Sequence, residues 1–364
     1  MSEEAYETLA DILLKRNTQI FEIEILPPGF GPILQDGLSL GITKRALVQA
    51  FVTARSIFFN DDTSSEALRC RQVASEIILL FDSEHLTACN WRKRRCLESK
   101  QCGTSAAEYV ASLNVELALT ASLLGSPLHR HTKSPVLWYH RFWVLAQVLR
   151  TSSPLALNQD VPGSLEYTRR LDSGSEILLS EVSLVLRATE RHPMNYYAFS
   201  YLRQFIWHVA CLLAGGSVQD EAMVHPESNS KFIRFERTGS DTDASATFMK
   251  LLAKPIIETI KQWCLSHPRD NSGWMFLLYL LSIVDEDVMR RDVVGGVIRS
   301  GFNIAWQNEA LWTFVDISTT KFNLDFQHLL TANVQCQGRV PEITRPTRDS
   351  TGGWRLWAAA ANLL

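Results

Sequence analysis

One motif returns along this chain and constrains its fold more than any other feature: a polar residue, then an aromatic four positions on, at the start of an apolar helical stretch. Ser134 leads to Trp138, Asn195 to Phe199, Asp270 to Trp274 and Asn308 to Trp312. A degenerate copy has His85 before Cys89, with Trp91 two residues further on. Ser, Asn and Asp are helix N-cap residues, because a side-chain oxygen accepts an orphan backbone N–H of the first turn. Four residues later the helix has turned about once, so the aromatic points back toward the preceding segment. In two copies an Arg follows three residues on, Arg92 and Arg141, on the same side of the helix. Two copies carry His-Pro in the preceding turn, His192-Pro193 and His267-Pro268, which stops the earlier helix.

The stretches ahead of these motifs are helical too. Cys70, Val73, Ala74, Ile77, Ile78 and Phe81 follow i, i+3, i+4, i+7 spacing, as do Tyr109, Leu113, Leu117, Thr120 and Leu124. Ile177, Leu178, Val182, Val185 and Ala188 repeat it. The pattern predicts an all-α chain of consecutive helix pairs stacked as an α-α solenoid. Steps between the aromatic positions are uneven, 49 from Cys89 to Trp138 and then 61, 75 and 38. The surplus falls in two breaker-rich stretches, Thr151–Gly174 and Gly215–Ser245, which read as solvent loops. Strand-like alternation is confined to Ile20–Leu26, ahead of the Pro/Gly loop PPGFGP. The expected organisation is an N-terminal extension over 1–65, with that strand-like segment and the first helices. Helical repeats follow over 66–320, with loops at 151–174 and 215–245, and a C-terminal helical cap over 321–364.

Composition narrows the function. Thirty-six Lys and Arg against 39 Asp and Glu give a net charge of −3, without the broad positive field that nucleic-acid binding uses. The run Arg92-Lys93-Arg94-Arg95 lies on a repeat helix and is expected to turn two charges to solvent and two to a partner. Seven cysteines, an odd number with no C-x-x-C pair, read as reduced thiols of a cytoplasmic protein. The longest apolar stretch, Trp274–Val284, is about half of the roughly 20 residues a membrane span requires. No secretory signal opens the chain. No G-x-x-x-x-G-K-[ST] or G-x-G-x-x-G pattern appears. His129 and His131 are the nearest approach to a metal pair, and with no third ligand nearby they read as surface loop residues.

The repeats themselves carry a resemblance. KSPVLWYHRFWVLAQVL (Lys133–Leu149) resembles the K-[NS]-Y-x-x-W-x-H-R-x-W repeat of protein prenyltransferase α subunits. HPMNYYAFSYLRQFIW (His192–Trp207) is similar to their N-Y-x-A-W-S-H-R repeat, and DNSGWMFLLYLL (Asp270–Leu281) to N-x-S-A-W-x-Y-L-x-x-L. HLTACNWRKR (His85–Arg94) looks like N-Y-T-A-W-N-x-R-R. The ordered set covers roughly residues 66–320. The Ile20–Arg45 segment is unlike farnesyl- or Rab-type α subunits and looks more like the divergent α-subunit-repeat-containing proteins.

The resemblance implies a right-handed superhelix of helical hairpins wrapped around a separate prenyltransferase β subunit. That partner would hold the catalytic zinc and the isoprenoid pocket, with no cofactor in this chain. The implied reaction moves a geranylgeranyl or farnesyl group from its diphosphate to a cysteine thiol of a protein substrate. Lys133 occupies the position of a Lys that the family places at the mouth of the active site, where an ammonium stabilises charge accumulating on the leaving diphosphate. Asn195 and Tyr196 match a pair lining the subunit interface near that site. His140 and Arg141 match an H-R pair that bonds neighbouring turns or the partner. There are departures. Pro135 replaces the family's Tyr, and Val136 replaces the Gln that reaches the substrate's terminal carboxylate. Val136 donates no hydrogen bond, which speaks against reading a C-terminal CaaX box and favours the C20 lipid. Cys89, Phe199 and Tyr201 also depart, and Arg203 is displaced by one. A second reading stays open: a non-catalytic α-solenoid scaffold that uses the same concave face to hold other proteins.

Overall fold

The computed structural model describes residues 2–101, 103–128, 130–151, 165–214, 242–325 and 353–361. The chain forms two compact units, Met1–Gly239 and Ser240–Leu364. Both are built from helical hairpins, and the fold is all-α apart from one small sheet.

The first unit opens with α1 (Ser2–Lys15), three short strands, β1 (Glu22–Leu26), β2 (Ile33–Asp36) and β3 (Ser39–Thr43), and α2 (Lys44–Phe58). The strands lie in the order β1-β3-β2, with β1 parallel to β3 (Ile23 opposite Leu40) and β2 antiparallel to it (Ile33 opposite Ile42). Ile23, Leu40 and Ile42 turn one face into the core. The outer edge of β1 is closed by a helix: Phe21 N–H donates to Ser122 Oγ at 2.9 Å and Ile23 N–H to Ser126 Oγ at 2.8 Å. Only the β1 region is legible as a strand in the sequence. The β2–β3 hairpin turns on Gly37, whose φ of +56° suits a two-residue loop, and β2 takes its register from β3 instead of an apolar alternation of its own.

Three hairpins follow in the first unit. They are α3 (Ser65–Phe81) with α4 (Leu86–Gln101), α5 (Ala106–Gly125) with α6 (Pro135–Thr151), and α7 (Leu165–Arg191) with α8 (Tyr196–Leu213). A single 3-10 turn, His131–Lys133, leads into α6. The second helices α4, α6 and α8 stack in one layer, and α5 packs on α7 in the other. α1 and α2 pack against α3, and β1 against α5. The N-terminal extension thus packs directly on the first hairpin.

The second unit has α9 (Thr242–Ser266) with α10 (Asn271–Val284), and α11 (Asp287–Asn303) with α12 (Glu309–Lys321). α9 packs on α11, α10 on α12, and a last helix, α13 (Trp354–Ala361), covers α12 and α11. The two expected loops need correction. Residues 165–174 belong to α7 and 242–245 to α9, while 152–164 and 215–241 lie outside the described residues. Gly174, read as a breaker, is buried inside a 27-residue helix, long enough to absorb the roughly 1 kcal/mol a helical Gly costs against Ala. Among the described residues no helix is long and apolar enough to cross a membrane.

Candidate functional site

Each repeat builds the same corner between its two helices. Ser134 Oγ accepts the Leu137 N–H at 3.1 Å, Asn195 Oδ1 that of Ala198 at 3.2 Å, and Asp270 Oδ1 those of Ser272 and Gly273. In the degenerate copy His85 Nδ1 accepts the Ala88 N–H at 3.2 Å. Asn308 precedes α12 without a side-chain cap bond. The aromatic positions Trp138, Phe199, Trp274 and Trp312, and Cys89 with them, are all buried. Each Trp indole donates to the carbonyl six residues before it: Trp138 to Thr132 at 2.8 Å, Trp274 to Pro268 at 3.1 Å and Trp312 to Trp306 at 2.7 Å. The tryptophan thus locks its own entry turn while its ring fills the core, a use for the indole N–H that spacing alone does not show.

The turn before α6 carries more bonds than the others. His131 Nε2 donates to the Leu79 carbonyl at 3.0 Å, which sets its tautomer, and burial lowers the pKa of the imidazole. Ser134 Oγ donates to the Ser83 carbonyl at 2.9 Å. The Thr132 carbonyl accepts from both Trp138 Nε1 and Asn195 Nδ2, the latter at 2.6 Å, and Thr132 Oγ1 lies 2.8 Å from His192 Nδ1. Residues 79 and 83 belong to the first hairpin, 192 and 195 to the third. Between these braces stands Lys133, half-buried, its ammonium in no ion pair or hydrogen bond with the described residues. Asn195 is buried, whereas Met194, Tyr196 and Tyr197 beside it are exposed by 51%, 54% and 40%. Met194 holds a φ of +57°, an uncommon conformation for a side chain of this kind. The sequence-derived residues Lys133, Asn195 and Tyr196 therefore come together at one corner.

His140 and Arg141 do not join them. Both are buried, Arg141 spent on α7 of the next hairpin and α5 of its own, His140 on Glu116 of α5. Arg141 grips Glu181 of α7 with Nε at 2.8 Å and Nη2 at 2.6 Å, and its Nη1 reaches the Leu117 carbonyl and Thr120 Oγ1 on α5. Arg92 repeats this one hairpin earlier. It grips Glu116 of α5 at 2.8 and 2.6 Å, and its Nη1 reaches the Gln72 carbonyl and Ser75 Oγ on α3. Glu116 is also held by His140 Nε2 at 3.2 Å, and Glu181 by the Tyr201 hydroxyl, the residue standing where the family has His. An arginine of one hairpin, a glutamate of the next and a His or Tyr of that same hairpin thus form a buried relay, repeated twice. Burial alone would raise the Glu116 carboxyl, but Arg92 and His140 outweigh it and hold its pKa well below the carboxylate range. Burial lowers the pKa of His140 despite Glu116, so the ring is neutral and donates through Nε2. A surface role for these two residues has no geometric basis. They fasten repeat to repeat.

The basic run on α4 divides differently from expectation. Arg92 and Lys93 are both buried among the chain's own helices, while Arg94 and Arg95 are half-exposed. Burial lowers the Lys93 amine to about 8, and its nitrogen lies 4.2 Å from the Tyr139 ring centre, a cation–π contact. Cys89, Cys96, Cys211 and Cys264 are buried and in no disulfide, and burial pushes the Cys89 thiol up to about 12. Cys102, Cys336 and His129 lie outside the described residues. Among the described residues no group of three His, Cys, Asp or Glu is placed to hold a metal.

This geometry can be set beside known proteins. The family model for the protein prenyltransferase alpha subunit repeat matches residues 178–209 and 256–284, which are the α7/α8 and α9/α10 hairpins. The chain is similar to protein prenyltransferase alpha subunit repeat-containing protein 1 of Danio rerio, 34% identical over 124 residues, 34% of this chain and 25% of that protein. Its likeness to the Homo sapiens protein of the same name is 25% over 223 residues, 59% of this chain and 42% of the other. The chain thus spans about a quarter to two-fifths of the length of the curated relatives it matches. Hairpins stacked in register, capped corners, Trp or Phe in the corner and these matches together show that the chain carries the protein prenyltransferase alpha subunit repeat, in a divergent form.

Proposed function

We propose that this chain is the α subunit of a heterodimeric protein prenyltransferase, working in the cytoplasm with a β subunit that carries the zinc and the isoprenoid pocket. One observation carries the reading. The Lys at the head of the second repeat stands at a corner braced from both neighbouring hairpins, and its ammonium is left unengaged by the described residues. A cation held in place but unneutralised suits stabilisation of a diphosphate as its charge grows in the transition state. The exposed Met194, Tyr196 and Tyr197 beside it offer the aromatic, apolar surface that subunit interfaces favour. The substrate is a cysteine thiol of a protein, and Val136, with no hydrogen-bonding side chain, supports a C20 lipid and a recognition mode other than a bound terminal carboxylate. The scaffold reading draws on the same departures, Pro135 and Val136 at the first turn of α6.

The test is co-expression with prenyltransferase β subunits, followed by transfer of a labelled isoprenoid. A stable heterodimer is expected, with transfer falling at least about tenfold in Lys133→Ala, equivalent to about 1.4 kcal/mol of barrier. Equal transfer by the variant removes Lys133 from the chemistry, and failure to pair with any β subunit favours the scaffold.

A further inference from the structure

We infer that Thr132 is a positioning residue for Lys133, and that the third hairpin, acting through His192 and Asn195, sets where the Lys133 ammonium stands. The inference rests on the reading of Lys133 given above. A lysine side chain has four rotatable bonds, so its charge is only as well placed as the backbone that carries it, and a misplacement of about 1 Å at a reacting centre can cost on the order of a hundredfold in rate. Thr132 is the residue through which that backbone is held. It is fully buried and precedes Lys133 directly. Its carbonyl takes two donors, Trp138 Nε1 at 2.8 Å and Asn195 Nδ2 at 2.6 Å, one from its own hairpin and one from the next. Its hydroxyl meets His192 Nδ1 at 2.8 Å, on the turn that enters α8. The flanking residues are tied the other way, His131 to Leu79 and Ser134 to Ser83. Among the described residues Lys133 is therefore the one member of the 131–134 turn whose side chain is not used to hold it. A bracing network that spans three hairpins and leaves out the lysine it surrounds serves to aim that lysine.

Asn195 and the pair His192–Thr132 also make the site dependent on how hairpins two and three stack. Thr132→Val keeps the shape and both carbonyl bonds and deletes only the hydroxyl, while Thr132→Ser restores it. In the heterodimer, Thr132→Val is expected to lower kcat for isoprenoid transfer by about fivefold or more with KM for the protein substrate unchanged, and Thr132→Ser to recover most of it. In a Lys133→Ala background, Thr132→Val is expected to change transfer by less than about twofold, because the residue acts through the lysine. The same loss in both backgrounds, or no loss in Thr132→Val while Lys133→Ala is impaired, overturns the inference and leaves the lysine's role standing. A silent Lys133→Ala overturns the lysine's role and the inference with it. In the chain without a partner, hydrogen exchange at the Lys133 and Ser134 amides, which bond the Arg130 and His131 carbonyls, is expected to speed up about tenfold in Thr132→Val; unchanged exchange overturns the bracing.

Discussion

The two units stack the same hairpin with different chemistry at the seam. Three residues after the corner position, the first unit has Arg92 and Arg141, whereas the later repeats have Leu202, Leu277 and Val315. Two residues after it stand His140 and Tyr201 in the first unit, and Phe276 and Phe314 in the second. The loss is paired. Thr120, four residues after Glu116, accepts from Arg141, and the matching residue four after Glu181 is Val185, so the acceptor disappears at the repeat where the arginine does. Ring geometry persists through the change: Trp138 lies 4.9 Å from Tyr201, and Trp274 lies 5.0 Å from Phe314. What the second unit adds is shape. Gly273 on α10 receives Trp263 of α9, and Gly301 on α11 receives Trp312, each so close that a Cβ would fall within 2.6 Å of the indole. A charged seam accepts one register, because sliding it strands a carboxylate in the core, whereas an apolar seam depends on fit.

The largest expected effect tests the charged seam. Arg141→Met leaves Glu181 buried with Tyr201 as its hydrogen-bond partner among the described residues and should cost about 3–5 kcal/mol, read from urea unfolding of the whole chain. The triple change Arg141→Met, Glu181→Leu, Tyr201→Phe rebuilds the seam in the second unit's style and should return to within about 2 kcal/mol of the native protein. A single-variant cost below about 1 kcal/mol would remove the relay from any account of stability.

That relay shows what the sequence does and does not disclose. Caps, corner aromatics and the arginine three residues on are all local, and each is readable from spacing: Ser134, Trp138 and Arg141 lie within one eight-residue window. Their partners are not local. Glu116 is 24 residues from Arg92 and Glu181 is 40 from Arg141, with an insertion between, so no periodicity connects them. The same limit hid the bracing of Lys133. His192 was legible as a turn residue and Asn195 as a cap, but their reach to Thr132 across about 60 residues exists only once the hairpins stack. Strands β2 and β3 escaped for a related reason, since a four-residue ILQD segment becomes a strand by pairing and not by its own pattern.

A smaller effect probes the second unit's fit. Gly301→Ala gains helix propensity, but its Cβ would sit 2.6 Å from the Trp312 ring, so the net expectation is a loss of about 1–3 kcal/mol. Gly296, in the same helix, has only the Lys261 amine at 3.7 Å, and Gly296→Ala should stabilise by up to about 1 kcal/mol. If both variants move stability the same way, the glycines are not what seats the tryptophans.

At neutral pH the smallest difference between the units should be in their response to acid. The first unit buries His131, His140 and His208, and burial lowers all three, His208 to about 3 with Arg150 adding to the effect. The second unit's described residues hold one histidine, His267, which is half-buried. A histidine kept neutral in the folded state leaves the unfolded chain binding more protons, so its contribution is fully present above about pH 6.5 and drains away as pH falls below it. Glu116, held low by Arg92 and His140, acts in the same direction below the ordinary carboxylate range. Hydrogen exchange followed from pH 7 to pH 5 should therefore show protection falling in α5, α6 and α8 before it falls in α10 and α12. His208 finds no hydrogen-bond partner for either ring nitrogen among the described residues, so His208→Leu removes a titrating group without breaking a bond. The variant should unfold with a pH slope shallower by about 1.4 kcal/mol per pH unit below pH 6, the weight of one proton. An unchanged slope would mean that His208 is protonated in the folded chain, and the acid response would then have to be assigned to His131, His140 and the carboxylates of the seam.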